Sequence, residues 1–199
     1  MIKLWRYSKV GMRLIASLLR NGKIEMGSYA RMLNEVVSGN QDYPIILDNI
    51  KITSDDGTYN NHRSYFFWGQ PNITVNDCVF EYGQYGLYNY TYWGSPLTIT
   101  NSTFRDNETG LYMYDKGLTL TNCTFNDNTQ VGLHADNMSF GSQLTSCKFN
   151  NNSEGVDYQG SASADLSLSM CEILDSDNDG IVTTGGFDLD LNCTWVRNN

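Results

Sequence analysis

LTITNSTF, residues 97–104, and LTLTNCTF, residues 118–125, are two copies of one eight-residue pattern. Each is followed by an Asn/Asp-rich stretch and then by a glycine and a leucine, Gly110-Leu111 and Gly132-Leu133. Apolar and polar side chains alternate, as in a strand with one buried face, and the alternation breaks at Asn101, which predicts a corner between two short strands. The side chains predicted to point inward in the first copy are Leu97, Ile99, Ser102, Phe104, Leu111 and Met113.

Related stretches occur along most of the chain. Further copies begin at Ile45, Ile73, Leu144, Leu166 and Leu189, and the last appears one residue shorter than the others. About seven copies therefore follow one another at spacings of roughly 21 to 28 residues, which is typical of solenoids. Each repeat has room for three short strands and polar turns but none for a helix. The sequence thus predicts an all-β parallel β-helix of about seven coils.

The repeated pattern also resembles a known family. Hydrophobic-x-hydrophobic-x-Asn-Cys/Ser-x-Phe, then a polar turn, then glycine and a hydrophobic residue, resembles the right-handed parallel β-helix repeat of pectin-lyase-like proteins. The resemblance covers residues 45–195 and implies a right-handed coil. It leaves the function open, because this fold carries lyases, hydrolases, adhesins and inert stalks.

Residues 1–40 do not repeat and differ in charge, with seven lysines and arginines against two glutamates. Apolar residues with helical spacing predict an amphipathic first helix, and residues 28–37 predict a second. We expect residues 1–40 to form a helical cap over the open end of a β-helix at residues 41–199; a basic helix on a membrane surface is the alternative. The apolar face of the first helix comprises Val10, Leu14, Ile15, Leu18 and Leu19.

Overall charge restricts the partners. The net charge of −9 argues against nucleic acid as a partner, and no apolar run is long enough for a transmembrane segment. The basic N-terminus lacks a clear signal peptide, because Arg13 and Arg20 interrupt its apolar stretch and no small-residue cleavage site follows. We interpret the chain as mature sequence of an extracellular or cell-surface protein.

Five cysteines share one position of the repeat. We expect them to form an inward column with one thiol per coil, about 4.8 Å apart. In-register Cα–Cβ bonds run parallel rather than converging, which favours buried free thiols over disulfides. No Cys-x-x-Cys spacing suggests zinc. These residues are Cys78, Cys123, Cys147, Cys171 and Cys193.

Asparagines recur at the predicted corner. Asn49, Asn101, Asn122 and Asn192, with Asp77 in register, predict a side-chain ladder that caps it. The repeat also creates Asn-x-Ser/Thr sequons, which we attribute to the ladder rather than to glycosylation.

The strand after each repeated glycine presents two outward columns. One contains Tyr88, Tyr112, His134, Asp157 and Val182, and the other contains Tyr90, Tyr114, Asp136, Gln159 and Thr184. Rows of exposed aromatic rings can stack on sugars, while acidic and amide groups bind hydroxyls. The sequence therefore predicts a non-catalytic glycan-binding or surface-adhesion module with a polysaccharide partner. Tyrosine is also simply a good strand residue, which is the structural alternative. The predicted ligand-binding residues are Tyr88, Tyr90, Tyr112, Tyr114, His134, Asp136 and Asp157.

Two other functions stay open. His134, Asp136 and Asp157 form the one catalytic-looking group, which would suit a polysaccharide lyase or glycoside hydrolase. Against this, no Gly-His-Gly or Asn-Thr-Asp motif is present and no arginine or lysine accompanies the group. The third reading is a structural stalk or assembly module. It would self-associate through the aromatic face or through an uncapped C-terminal rung.

A short acidic stretch is the one candidate metal site. Asp175, Asp177 and Asp179 match the first half of an EF-hand-type loop, although Gly186 stands where the bidentate glutamate belongs. The prediction is a structural Ca²⁺ site at most, and no other cofactor is expected.

Overall fold

A computed structural model describes residues 23–25, 45–49, 51–53, 66–67, 73–90 and 96–198. This part of the chain contains 21 strands and no helix, and hence no helix that could cross a membrane. In chain order the strands are β1 (Lys23–Glu25), β2 (Ile45–Asp48), β3 (Lys51–Thr53), β4 (Phe66–Phe67), β5 (Ile73–Asn76), β6 (Val79–Glu81), β7 (Tyr85–Tyr90), β8 (Leu97–Thr100), β9 (Thr103–Arg105), β10 (Thr109–Tyr114), β11 (Leu118–Thr121), β12 (Thr124–Asn126), β13 (Val131–Met138), β14 (Ser142–Thr145), β15 (Lys148–Asn150), β16 (Glu154–Gly160), β17 (Leu166–Ser169), β18 (Glu172–Leu174), β19 (Asp179–Gly185), β20 (Leu189–Asn192) and β21 (Trp195–Arg197).

After β1, the strands come in threes that coil around a common axis. The first sheet has the order β2-β5-β8-β11-β14-β17-β20, the second β1-β3-β6-β9-β12-β15-β18-β21, and the third β4-β7-β10-β13-β16-β19. Every pairing is parallel, which confirms the predicted all-β parallel β-helix. The structure describes all three strands of five consecutive coils, from β5, β6 and β7 to β17, β18 and β19. The predicted number of about seven is not confirmed.

The predicted helical cap at residues 1–40 lies almost entirely outside the described residues. The exception is β1, which pairs in register with β3 and so extends the second sheet into this segment. The two predicted helices and the boundary at residue 40 stay predictions.

The core contains the residues that the alternation predicted. All six inward side chains of the 97–113 stretch are buried, while Thr98, Thr100, Thr103 and Tyr112 are partly exposed on the outside. The motif phenylalanines of successive coils, from Phe80 to Phe149, stack with centroids 4.6–4.9 Å apart and planes within 4–6°. Each fully buried side chain of this size contributes about 1.5–3 kcal/mol.

The repeated glycine permits close approach of neighbouring coils. A Cβ placed on Gly110 would lie 2.5 Å from the carbonyl oxygen of Gly132, and one on Gly132 would lie 2.7 Å from that of Gly155. Because a side chain there would collide with backbone, the motif needs glycine before its hydrophobic residue.

The corner between the first and second sheets is a single left-handed residue. Asn49, Asp77, Asn101 and Asn122 occupy it with φ between 52° and 54°, a conformation that Asn and Asp tolerate best. The Asn122 side-chain amide donates to Asn101 Oδ1 at 2.9 Å, as the ladder predicted. The ladder prediction is wrong for Asn192, which lies in β20.

The cysteine column is confirmed for four members and wrong for Cys193. Leu191 pairs with Leu168 and Val196 with Ile173, so the last copy is full length and its corner is Cys193, with φ of 50°. Thr194 takes the column position and accepts a bond from the Cys171 N–H, as Ser102 does from Cys78. Cys193 is therefore exposed, whereas the other four are buried.

A second ladder, which the sequence pattern did not predict, is buried at the corner between the second and third sheets. Asn107, Asn128 and Asn152 are each at most 1% exposed. The Asn128 amide donates to Asn152 Oδ1 at 2.8 Å and to the Phe104 carbonyl at 3.2 Å, while Asn107 donates to Asn128. The ladder fixes the turn that aims each strand of the third sheet.

Candidate functional site

The predicted outward columns lie on the third sheet. In the first column the register is Tyr88, Tyr112, His134, Asp157 and Val182 on successive strands, as predicted. In the second column Tyr90, Tyr114 and Asp136 are in register. The continuation from Asp136 to Gln159 is not confirmed, because a bulge between Ala135 and Met138 interrupts the pairing there. Gln159 pairs onward with Thr184 as expected.

The aromatic side chains stack along the solenoid axis. The rings of Tyr88 and Tyr112 lie 4.6 Å apart at 5°, and His134 continues the stack 5.2 Å beyond Tyr112 at 10°. In the second column Tyr90 and Tyr114 lie 4.4 Å apart. Tyr85, which the sequence analysis passed over, packs edge-on against Tyr88 and Tyr112 at 4.9 and 5.7 Å. The sequence could have indicated Tyr85 through its position directly before Gly86, the glycine of that repeat.

Stacking determines which parts of the rings a ligand can reach. Each ring between two others has both faces covered and presents its edge and hydroxyl outward. A flat patch of several ring faces is therefore absent from the described columns. In the first column the aromatic stack ends at His134, because the next residue in register is Asp157.

The change from long aromatic to short polar side chains occurs after Tyr114 in one column and after His134 in the other. Asp136 follows Tyr114 and Asp157 follows His134, and these side chains reach less far from the sheet than a phenol ring. The surface therefore steps down, with aromatic side chains as a wall and carboxylates as a floor. We call this step the ledge; its residues are Tyr112, Tyr114, His134, Asp136, Asp157 and Gln159.

Hydrogen bonds hold the ledge residues in place. His134 Nδ1 lies 2.9 Å from Asp157 Oδ2, and Gln159 donates to the same oxygen at 3.4 Å. The Tyr112 hydroxyl donates to Asp136 Oδ2 at 3.1 Å. Asn137 donates to the Tyr114 hydroxyl at 3.0 Å. These bonds fix the side chains of the wall and the floor relative to one another.

Two groups of the ledge have shifted protonation equilibria. The hydrogen bond to Asp157 raises the pKa of His134, although burial opposes it, and the charges of Asp157, Asp136 and Glu154 add to the rise. Burial, reinforced by Asp136, raises the pKa of Tyr112 far above its usual value. Tyr112 is therefore a neutral hydrogen-bond donor at physiological pH.

The three catalytic candidates fall into two separate hydrogen-bonded pairs. His134 and Asp157 are in contact, whereas Asp136 contacts Tyr112. Both carboxylates accept hydrogen bonds from neighbouring side chains. The described strands of the third sheet carry no lysine or arginine that could neutralise a uronic acid.

Two of the candidate calcium residues, Asp175 and Asp177, lie in the turn between β18 and β19, and Asp179 is the first residue of β19. Asp175 is the left-handed corner residue and accepts a bond from the Asn198 amide at 2.8 Å. Asp177 and Asp179 are exposed. Over the described residues no group of three or more His, Cys, Asp or Glu side chains is arranged to hold a metal ion. Calcium binding here stays a prediction.

Comparison with known proteins identifies the architecture. The family model described as right handed beta helix region matches residues 36–199. Searches of curated proteins and of solved structures found no match.

Proposed function

The chain belongs to the right-handed β-helix family, and within that fold we propose that it is a non-catalytic glycan-binding or surface-adhesion module. The ligand is a polysaccharide held on the ledge. An extracellular or cell-surface location forms part of the proposal, because structural polysaccharides lie outside the cell.

The end of the aromatic stack is the observation that carries the proposal. One more ring placed against His134 would continue the stack of Tyr88, Tyr112 and His134, which runs at 4.6–5.2 Å. A sugar ring offers an apolar face for this contact and hydroxyls at its rim. The unshared carboxylate oxygens of Asp136 and Asp157 would accept bonds from those hydroxyls.

The charge of the face supports a neutral rather than an acidic polysaccharide. The described strands of the third sheet carry four acidic residues and one histidine, His134. The acidic residues are Asp136, Glu154, Asp157 and Asp179. Uronic or sulfated sugars would therefore be repelled. Since the ledge is shallow and each stacking contact is weak, affinity should lie between micromolar and millimolar and increase with ligand length.

Calorimetric titration with neutral oligosaccharides chosen by a glycan array tests the proposal. His134→Ala should weaken binding about two- to tenfold, because one stacked ring is worth about 0.5–1.5 kcal/mol. The matched control is Thr119→Ala, an outward residue of the first sheet, which should bind like wild type. Equal binding by wild type and His134→Ala would overturn the assignment of the ledge.

The His134–Asp157 pair favours a second candidate function, that of an enzyme. A histidine oriented by a carboxylate can act as a general base. Reducing-end or unsaturated products released by wild type and lost in Asp157→Ala would establish a hydrolase or lyase. The proposal expects no such products from any neutral or acidic polysaccharide.

A further inference from the structure

Three cysteines of the core lie on consecutive coils in one position. The Lys148 N–H donates to the Cys123 carbonyl and the Glu172 N–H to the Cys147 carbonyl, each at 2.9 Å, so the backbones are in register. Cys123, Cys147 and Cys171 are all completely buried. Ser102 and Thr194 occupy the same position on either side, which limits this run of thiols to three.

The three thiols are neighbours in this column. The interaction with Cys147 lowers the pKa of Cys171, although burial opposes it. Weak S–H contacts of 3.4–3.5 Å also reach the carbonyls of Thr121, Thr145 and Ser169. The three side chains therefore share one orientation, which places their sulfur atoms at equivalent points on successive coils.

Stacking in register gives the sulfur atoms a particular geometry. Successive coils are separated by about 4.8 Å, and the Cβ–Sγ bonds run roughly parallel and across the axis. A disulfide needs sulfur atoms about 2.05 Å apart and converging side chains, which this geometry opposes. Two metal–sulfur bonds of about 2.3 Å in a straight line span about 4.6 Å, which matches the coil spacing.

We propose that this column binds one soft monovalent metal ion of the Cu⁺ class between Cys147 and one neighbouring sulfur. The ion is two-coordinate and its bonds lie along the solenoid axis. Binding replaces one thiol proton: Cu⁺ and two thiols give a Cu⁺ bound to one thiolate and one thiol, with one H⁺ released. The oxidation state of the metal and of both sulfur atoms is unchanged.

Chemistry and charge select this class of ion. Soft sulfur ligands favour Cu⁺, whereas Ca²⁺ and Mg²⁺ require oxygen ligands. Zinc requires four ligands, and no larger metal-binding group occurs among the described residues. One thiolate and one monovalent cation also leave the site neutral, which avoids the cost of a net charge in an apolar core.

The test is refolding of the full chain under anaerobic conditions with Cu⁺ supplied as its acetonitrile complex. The protein carries Cys193→Ser, because that thiol is exposed and would bind copper on its own. After exhaustive dialysis we expect one copper per chain, a raised Tm, and X-ray absorption showing two sulfur ligands. Failure to retain copper, or retention of Zn²⁺ to the same extent, overturns the proposal.

Serine variants identify the ligands. Cys147→Ser should abolish copper retention, and the double variant Cys123→Ser/Cys171→Ser should do so as well, since each leaves no adjacent pair of thiols. Serine already occupies this position at Ser102, so the fold accepts it. The control is Cys78→Ser, whose neighbour on the next coil is Ser102, and it should retain one copper. Unchanged copper content in Cys147→Ser contradicts the assignment.

Discussion

Individual side chains in this solenoid are defined by the coils above and below them. Leu120 is completely buried because β11 lies between β8 and β14. Leu191 has the same inward position in β20 but is 46% exposed, because no described strand covers it. The same residue type in the same repeat position therefore meets two different environments.

This pair gives a stability prediction. Leu120→Asp places an unpaired charge inside a coil and should lower the free energy of unfolding by about 4 kcal/mol or more. Leu191→Asp keeps access to water and should cost about 1 kcal/mol or less. Urea denaturation followed by circular dichroism measures both. Equal costs would contradict the inward assignment of Leu120.

The His134–Asp157 pair predicts a pH effect. Because the pKa of His134 is raised on folding, the pair's stabilisation is complete below the ordinary histidine pKa, about 6.5. It is lost as the pH increases through the folded-state value. Wild type should therefore lose more unfolding free energy between pH 6 and pH 9 than Asp157→Asn does. Parallel stability profiles for the two proteins would contradict the pair.

Elements in this protein are held by repeated side-chain ladders at their corners. The Asn107, Asn128 and Asn152 ladder satisfies backbone groups at the turn into the third sheet. Its sequence signal was weak, because polar turns rich in Asn and Asp gave no indication of which side chain was buried. The motif asparagine at the first corner, by contrast, was readable from its fixed place in the repeat.

The buried ladder predicts a strong effect at its centre. Asn128→Ala removes partners of Asn107, Asn152 and the Phe104 carbonyl, and each buried group left without a partner costs about 1–3 kcal/mol. We expect a loss of about 3 kcal/mol in the free energy of unfolding. Asn126→Ala, two residues away and partly exposed, serves as the control and should change it by about 0.5 kcal/mol or less.

Alternation and repeat spacing were sufficient to predict the strands of the repeats, the inward set of residues 97–113 and the first outward column, because one buried face imposes a period of two. Three features were beyond that reasoning. In the last repeat the sequence pattern placed Cys193 in the cysteine column, whereas the strand register places Thr194 there. The bulge in β13 accompanies a left-handed Asn137, which a strand pattern does not reveal. Ring stacking depends on side-chain orientation, which register alone leaves open.

The whole molecule is an acidic solenoid whose last described rung is open. Leu189, Leu191, Trp195 and Val196 are each more than 40% exposed there. Strands β20 and β21 pair on one side only among the described strands. This rung is where the expected self-association would bury the most apolar surface.

Openness of the last rung predicts an order of unfolding. Backbone amides of residues 189–197 should exchange with deuterium much faster than those of residues 118–126, whose strands pair on both sides. Hydrogen-exchange mass spectrometry measures the two segments in one experiment. Equal protection at low protein concentration would show that another segment or another copy covers the rung.

The ledge is the central functional claim, and NMR of the ring signals tests it most directly. Protein with isotope-labelled tyrosine and histidine is titrated with a neutral oligosaccharide. We expect the largest shift at His134, where the first column's stack ends, and a smaller one at Tyr88, two coils further from the floor. Shifts confined to residues outside the third sheet, or no shift with any glycan that binds, would contradict it.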